Sequence, residues 1–398
     1  MTARREVLFL AHRIPYPPDK GDKIRSWRIL EALARRFDVR LAAFVDDPDD
    51  FQHTAHLQSV CACVSLVPLD PRVARLRSLV GLARGEALTF PYYRDRRMES
   101  AVRSARARPL AAEVAFSSSM APYLAEHAGR PRIVDFCDAD SEKWRQYAED
   151  ATGPMRAVYA REAQRLRKAE RAITAWAEAS FAVSPAEAAV FHCAENRAVD
   201  WFGNGVDAAY FDPAAAGPPP AAASDVVFVG AMDYRANVKA ALWFADKVWP
   251  LVRAGAPEAT FALVGSKPVE AVRALAARQG ISVTGRVDDV RPYLASARVV
   301  VAPLQVARGV QNKVLEALAM ARPLVATRDA ATGVDIEDGV HYLAADDPAA
   351  FAAQILELLK DRSGAEQMGE RGRLRMIERH SWAAQLARFE AALDRLIA

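Results

Sequence analysis

The stretch Arg308-Gly309-Val310-Gln311-Asn312-Lys313-Val314-Leu315-Glu316, continued through Thr327, reads as loop, helix, tight break and strand. Asn312 is a favourable N-cap and Gly309 frees the backbone ahead of it, so the pattern predicts a helix from Lys313. The start of a helix leaves about three or four N–H groups unpaired, and such an end attracts phosphate. Lys313 adds a full positive charge there. Glu316 lies three residues on and therefore points to the same side, one turn deeper. A phosphate would repel its carboxylate, but the vicinal hydroxyls of a ribose could donate two hydrogen bonds to it. A capped surface helix with a solvated Lys–Glu pair has the same local pattern.

The flanks narrow the choice. Residues 297–304 form an apolar run that reads as a buried parallel strand, and 323–327 read as the next strand. The loop 305–311 thus leaves the carboxyl end of a strand and feeds a helix N-terminus, where open α/β sheets bind nucleotides. Lys313-x-x-Glu316-Ala-Leu-Ala followed by Arg322-Pro323-Leu324-Val325 resembles the donor-binding helix and next strand of retaining glycosyltransferases of family 4. The resemblance implies the GT-B fold, an α/β arrangement of two Rossmann-like domains facing a cleft. It also implies that Glu316 binds the ribose of a sugar nucleotide. Many members carry a second glutamate eight positions earlier, on the donor sugar; here that position is Arg308. Arg308, Gly309, Asn312, Lys313 and Glu316 are the donor-binding candidates of this loop.

A chain of 398 residues suits two domains of about 200 residues each. With 52% hydrophobic residues it is globular, and a net charge of +3 is too small to argue for nucleic acid. Cys61, Cys63, Cys137 and Cys193 form neither a C-x-x-C pair nor a zinc spacing, and read as small core residues of a reducing compartment. The start runs straight into a strand rather than a signal peptide, and no apolar run is long enough to span a membrane. A cytoplasmic protein is expected.

In the first domain, Glu6-Val7-Leu8-Phe9-Leu10-Ala11 is a buried strand, followed by a Pro- and Gly-rich loop, 12–23. Ile24, Trp27, Leu30, Leu33, Ala34 and Phe37 then recur at helical spacing. The loop is neither G-x-G-x-x-G nor a Walker A sequence, so spacing alone implies no cofactor. It resembles the N-terminal loop of family 4, which gives Gly21 the role of letting backbone approach the donor phosphate. Further strands are expected at 39–45, 63–69, 112–117, 132–137 and 180–184, with helices between them, hence a parallel sheet. After the strand at 132–137, Asp138 and Asp140 could bind sugar hydroxyls or polarise an acceptor hydroxyl. Many family 4 enzymes align a histidine with Asp138, which places Asp138 at the sugar site. Asp140 and Ser141 read better as caps of the next helix.

Residues 71–110 hold ten arginines against three acids, interleaved with apolar and aromatic side chains. A second basic run follows at 156–171. Solvated helix faces account for most such runs, but this mixture also suits anionic lipid headgroups or a lipid-diphosphate acceptor. No recognition motif for nucleic acid accompanies it.

Asn204-Gly205-Val206-Asp207 with Phe211-Asp212-Pro213 resembles the hinge signature of family 4, and 214–224 is an Ala/Pro-rich linker. After the strand ending at Gly230, the family usually places two basic residues on the donor diphosphate. Ala231 and Ala236 stand there instead, leaving Arg235 to share the phosphate charge with Lys313. Arg286 and Val287, after a strand at 281–285, fall where the family's turn lies against the base. The last segment is an amphipathic helix, which in the family crosses back to the first domain.

The expected organisation is therefore 1–205 as acceptor-side domain, 206–224 as linker, 225–378 as sugar-nucleotide domain and 379–398 as crossover helix. Asp138, Lys313 and Arg235 are the catalytic candidates. The overall pattern is most similar to sugar transferases of exopolysaccharide export systems. That implies sugar transfer with retention from a nucleotide-sugar to a glycan or polyprenyl-linked acceptor, without metal or other cofactor. An anionic membrane surface, on the inner face of the cell membrane, would be met through 71–110. Two alternatives share the same fold: a non-catalytic sugar-nucleotide sensor or scaffold, and an epimerase or hydrolase.

Overall fold

The computed structural model describes every residue except 1–3, 127–128, 193–197, 221–222 and 308; Arg308 and Cys193 thus lie outside the described residues. The chain divides into two compact units, Met1–Phe202 with Leu386–Ala398, and Gly203–Gln385.

The first unit is built on seven parallel strands: β1 (Glu6–Ala11), β2 (Asp38–Val45), β3 (Cys63–Pro68), β4 (Leu110–Phe116), β5 (Arg132–Cys137), β6 (Ala179–Ala182) and β7 (Asp200–Trp201). Their order is β3-β2-β1-β4-β5-β6-β7. Val7 to Ala11 are almost wholly buried, as expected of a strand covered on both faces by helices. The chain steps outward from β1 in one direction and from β4 in the other. That reversal is the topological switch point, where open sheets hold ligands beyond the carboxyl ends of the strands.

The helix Gly21–Arg36 buries Trp27, Ile29, Leu30 and Leu33, and also Lys23 and Arg25. Arg25 is fully buried and meets Asp135, also fully buried, through Nε at 2.7 Å and Nη2 at 3.0 Å. Its Nη1 donates to the Phe202 carbonyl, and the guanidinium lies 3.7 Å from the centre of the Phe202 ring. The last helix, Trp382–Ile397, gives its final turns to this unit: Phe389 packs against Phe181 and Phe202, and Arg36 pairs with Asp394.

The second unit holds six parallel strands: β8 (Val226–Val229), β9 (Phe261–Val264), β10 (Ile281–Gly285), β11 (Val299–Ala302), β12 (Leu324–Ala326) and β13 (Leu343–Ala344). The order β10-β9-β8-β11-β12-β13 puts its switch point between β8 and β11. The Asn204-Gly205-Val206 turn is fixed inside this unit. Val206 N–H donates to the His380 carbonyl at 2.7 Å, and a Cβ on Gly205 would stand 2.7 Å from the Trp382 backbone. Only glycine tolerates that approach.

Candidate functional site

In the second unit the loop after β11 leads into the helix Asn312–Ala319. Gly309 takes φ +60, the left-handed conformation that a glycine supplies without strain. The helix begins one residue earlier than the sequence indicates. Gln311 occupies the cap position, and Asn312 does not cap. Its side-chain oxygen instead accepts from Asn204 Nδ2 at 2.9 Å, which ties the donor-type loop to the Asn204-Gly205 turn.

Lys313 and Glu316 are both half-buried on this helix. Neither side chain makes a hydrogen bond or ion pair among the described residues. Lys313 Nζ stands 5.9 Å from the centre of the Phe228 ring, which belongs to β8, so it lies over the strand across the switch point. Burial lowers Lys313 to about 8, partly offset by Glu316. Burial raises Glu316 to about 7, partly offset by Lys313. Two ionisable groups are thus held where burial makes their charges costly and each only partly compensates the other, an arrangement concentrated at functional sites.

Across the switch point, β8 ends at Val229, just before Gly230, and the helix Arg235–Trp243 starts six residues after the strand. Arg235 and Lys313 therefore stand near the starts of the two helices that follow the strands flanking the switch point. A Cβ on Gly265 would fall 1.8 Å from the Gly230 carbonyl oxygen, so these strand ends pack backbone to backbone. Asn237, buried behind Gly230, donates to the Ala231 carbonyl at 2.9 Å, while its own side-chain oxygen is buried without a partner among the described residues. Sequence reasoning missed Asn237, although a polar residue on the inner face of the first helix is a readable signal. Arg286, exposed, and Val287, half-buried, follow β10. They sit two strands from β8, about 10 Å at the usual spacing. Next to them Arg291 chelates Asp289 and lies 3.9 Å over the Tyr210 ring.

In the first unit, polar groups gather at the carboxyl ends of β1, β2, β4 and β5. His12 and Arg13 follow β1 directly, and Asp46 follows β2. Asp22 receives Arg13 Nη1 at 2.5 Å and His12 Nε2 at 3.3 Å, and the His12 hydrogen bond with the Arg13 charge holds its carboxyl far below the usual range despite burial. Arg13 Nε bridges to Asp46 at 3.1 Å, and His12 stacks on Phe116 at the end of β4. None of these four residues was singled out from sequence, yet polar residues directly after buried strands mark such edges. Gly21, the first helical residue, is exposed and does not need a left-handed backbone.

Two non-glycine residues here adopt positive φ: Ser117 (φ 80), just after β4, and Cys137 (φ 62), the last residue of β5. Strained backbone of this kind clusters at functional sites. Asp138 follows Cys137. Solvent reaches its carboxyl, yet the protein packed around it, with Glu187 and Asp140, pushes it up to about 6. Asp140 and Ser141 do not cap the helix Asp140–Asp150. Its first N–H groups are taken by buried acids from elsewhere, Glu187 from Ala139 and Glu170 from Ser141, while Asp140 accepts from Ser118 Oγ. Local capping lost to longer-range acceptors that tie β5 to the following helices.

The two parallel sheets, each with its switch point, define the class: this is the GT-B fold of glycosyltransferase structures. Residues 223–361 match the family model described as glycosyl transferases group 1. Among solved structures, sucrose-phosphate synthase from Thermosynechococcus elongatus is 17% identical, with a TM-score of 0.69 and 99% of each chain covered. HepE of Anabaena, in complex with UDP and glucose, is 16% identical, with a TM-score of 0.67 and coverage of 99% of this chain and 100% of that one. An α,α-trehalose-phosphate synthase (UDP-forming) from Burkholderia vietnamiensis is 14% identical, with a TM-score of 0.66 over 98% and 100%. No curated protein sequence matches the chain.

Proposed function

We propose that this chain is a glycosyltransferase that moves a sugar, with retention, from a nucleotide-sugar to a glycan or polyprenyl-linked acceptor in exopolysaccharide synthesis. The observation that carries the reading is the Lys313–Glu316 pair, one turn apart at the start of the helix after β11 and without hydrogen bond or ion pair among the described residues, at the switch point of its sheet. The match of 223–361 to glycosyl transferases group 1 supports it. So does the likeness to HepE, which was solved with UDP-glucose. Peripheral contact with the inner face of the cell membrane is a separate proposal, carried by the surface of residues 71–84.

In this reading Glu316 accepts the ribose hydroxyls, while Arg286 and Val287 flank the base. Lys313 and the N–H groups at the start of its helix take the diphosphate, with Arg235 as second cation. As the bond from the sugar's anomeric carbon to the diphosphate oxygen breaks, the acceptor oxygen bonds to that carbon on the same face. The acceptor's proton passes to the leaving phosphate. Lys313 opposes the charge that grows there, a contact typically worth about 10²–10³ in turnover. Asp138 orients sugar or acceptor hydroxyls. No residue of this scheme calls for a metal.

A thermal-shift panel of nucleoside diphosphates and their sugars tests the proposal, since a ligand stabilises according to its concentration and affinity. One base should raise the melting temperature progressively. No response to any of them would contradict the reading. Ala231 and Ala236, where cations are usual, favour a second reading, a sugar-nucleotide sensor. It predicts the same shifts but no donor turnover.

A further inference from the structure

The helix Pro71–Ser78 and the short helix Val80–Arg84 turn their apolar side chains outward. Val73, Leu76, Leu79, Val80 and Leu82 are exposed by 57, 70, 54, 43 and 45%. These five, of thirteen exposed large hydrophobics among the described residues, fall within ten positions. Scattered apolar residues are normal on a surface; a cluster marks an interaction site.

The segment is held in place rather than fraying. Asp70 caps its start, accepting from Arg72 and Val73 N–H. Arg77 donates to the Tyr92 carbonyl at 2.7 Å, and Arg161 to those of Gly81 and Glu86 at 3.1 and 3.3 Å. Glu162, fully buried, accepts from Leu88 N, Thr89 N and Thr89 Oγ1. The outward apolar face is therefore fixed by a buried carboxylate and two arginines.

Its charge points to the occupant. Within 71–84 there are four arginines and no acid. Arg72, Arg75 and Arg84 are exposed and make no ion pair among the described residues, whereas Arg94, Arg97, Arg106 and Arg108 are paired with Glu86, Asp95, Glu113 and Glu6. The basic run of 71–110 is thus mostly neutralised beyond residue 84, whereas before it only Arg77 is paired, with Asp95 at 3.7 Å. A second copy of this chain would bring like charges together. An anionic bilayer matches both halves of the patch, acyl chains for the leucines and headgroup phosphates for the arginines.

We propose that residues 71–84 dock the protein on an anionic lipid surface, inserting Leu76, Leu79 and Leu82 and setting Arg72, Arg75 and Arg84 on headgroup phosphates. The segment follows β3 at the carboxyl edge of its sheet. The end of the helix Thr89–Tyr93, which Arg77 holds, packs Tyr93 edge-on against His12, at 6.0 Å. The docked surface therefore adjoins the loop after β1, so the acceptor is an amphiphile taken from the bilayer plane. This last step rests on the transferase reading; the docking does not.

Sedimentation of the full chain with phosphatidylglycerol-containing vesicles and with pure phosphatidylcholine vesicles, at low and high salt, tests it. The wild type should bind the anionic vesicles and release as salt rises. The triple variant Arg72→Ala/Arg75→Ala/Arg84→Ala should bind on the order of a hundredfold more weakly, each arginine contributing about fivefold near such a surface. Leu76→Glu/Leu79→Glu should abolish binding. Far-ultraviolet circular dichroism and unchanged nucleoside diphosphate binding would show that both variants fold. Wild type that stays in the supernatant, or folded variants that bind as it does, would overturn the proposal. So would a wild-type dimer that Leu76→Glu/Leu79→Glu dissociates. Vesicle binding without any nucleotide binding would uphold the docking and sink only the transferase reading.

Discussion

Lys313 and Glu316 stand one turn apart on the helix Asn312–Ala319, each half-buried and neither with a hydrogen-bond or ion-pair partner among the described residues. Such a pair is what the proposed donor site requires, with a ligand completing the bonding of both groups. Both groups are drawn towards neutrality, Lys313 to about 8 and Glu316 to about 7.

That pair gives stability a definite pH dependence. Glu316 keeps its proton in the folded protein up to about 7, so stability falls as pH rises from the ordinary carboxylate range to that value. Lys313 loses its proton from about 8, so stability rises as pH climbs from there towards the ordinary lysine range. Glu316→Gln should therefore raise the melting temperature of the ligand-free protein near pH 7.5 and leave it nearly unchanged at about pH 5. An equal shift at both pH values would show that the carboxylate's charge is not the cause.

Arg25 and Asp135 make the opposite kind of pair, buried and mutually satisfied. Asp135→Ala strands a guanidinium in the core of the first unit and should cost about 3–5 kcal/mol. Urea denaturation monitored by circular dichroism reads this directly, and a midpoint close to wild type would contradict it.

These two pairs also mark what the sequence can disclose. The loop, helix and strand around Lys313 are readable because apolar runs and the 3.6-residue period are local, and the expected strand at 132–137 is β5 as observed. The two-residue strands β7 and β13 carry no such period. Arg25 and Asp135 lie far apart in sequence, and nothing local distinguishes Arg25 from a solvated helix arginine. Glu170 and Glu187 likewise displace Asp140 and Ser141 as helix caps through contacts that only the fold creates. Asn312 was legible as a polar residue at a helix start, but its partner Asn204 was not.

Asp138 offers a test of the first unit's chemistry. Its carboxyl titrates near 6, so if the ionised form orients the reacting hydroxyl, turnover should fall as pH drops through that value. Asp138→Asn should remove this acid limb and lower turnover by about 10² or more. An unchanged acid limb in the variant would assign it to another group.

The most direct test of the donor site is calorimetric titration of wild type, Lys313→Ala and Glu316→Ala with a nucleoside and with its diphosphate. The nucleotide assignment requires Lys313→Ala to lose most of the affinity that the diphosphate adds, while binding the bare nucleoside as wild type does. Glu316→Ala should weaken both ligands by about 1.5–3 kcal/mol, the range for a hydrogen bond to a charged group. If Lys313→Ala binds the diphosphate as tightly as wild type, the phosphates do not rest on this helix, and the site proposed at the switch point of the second sheet is wrong.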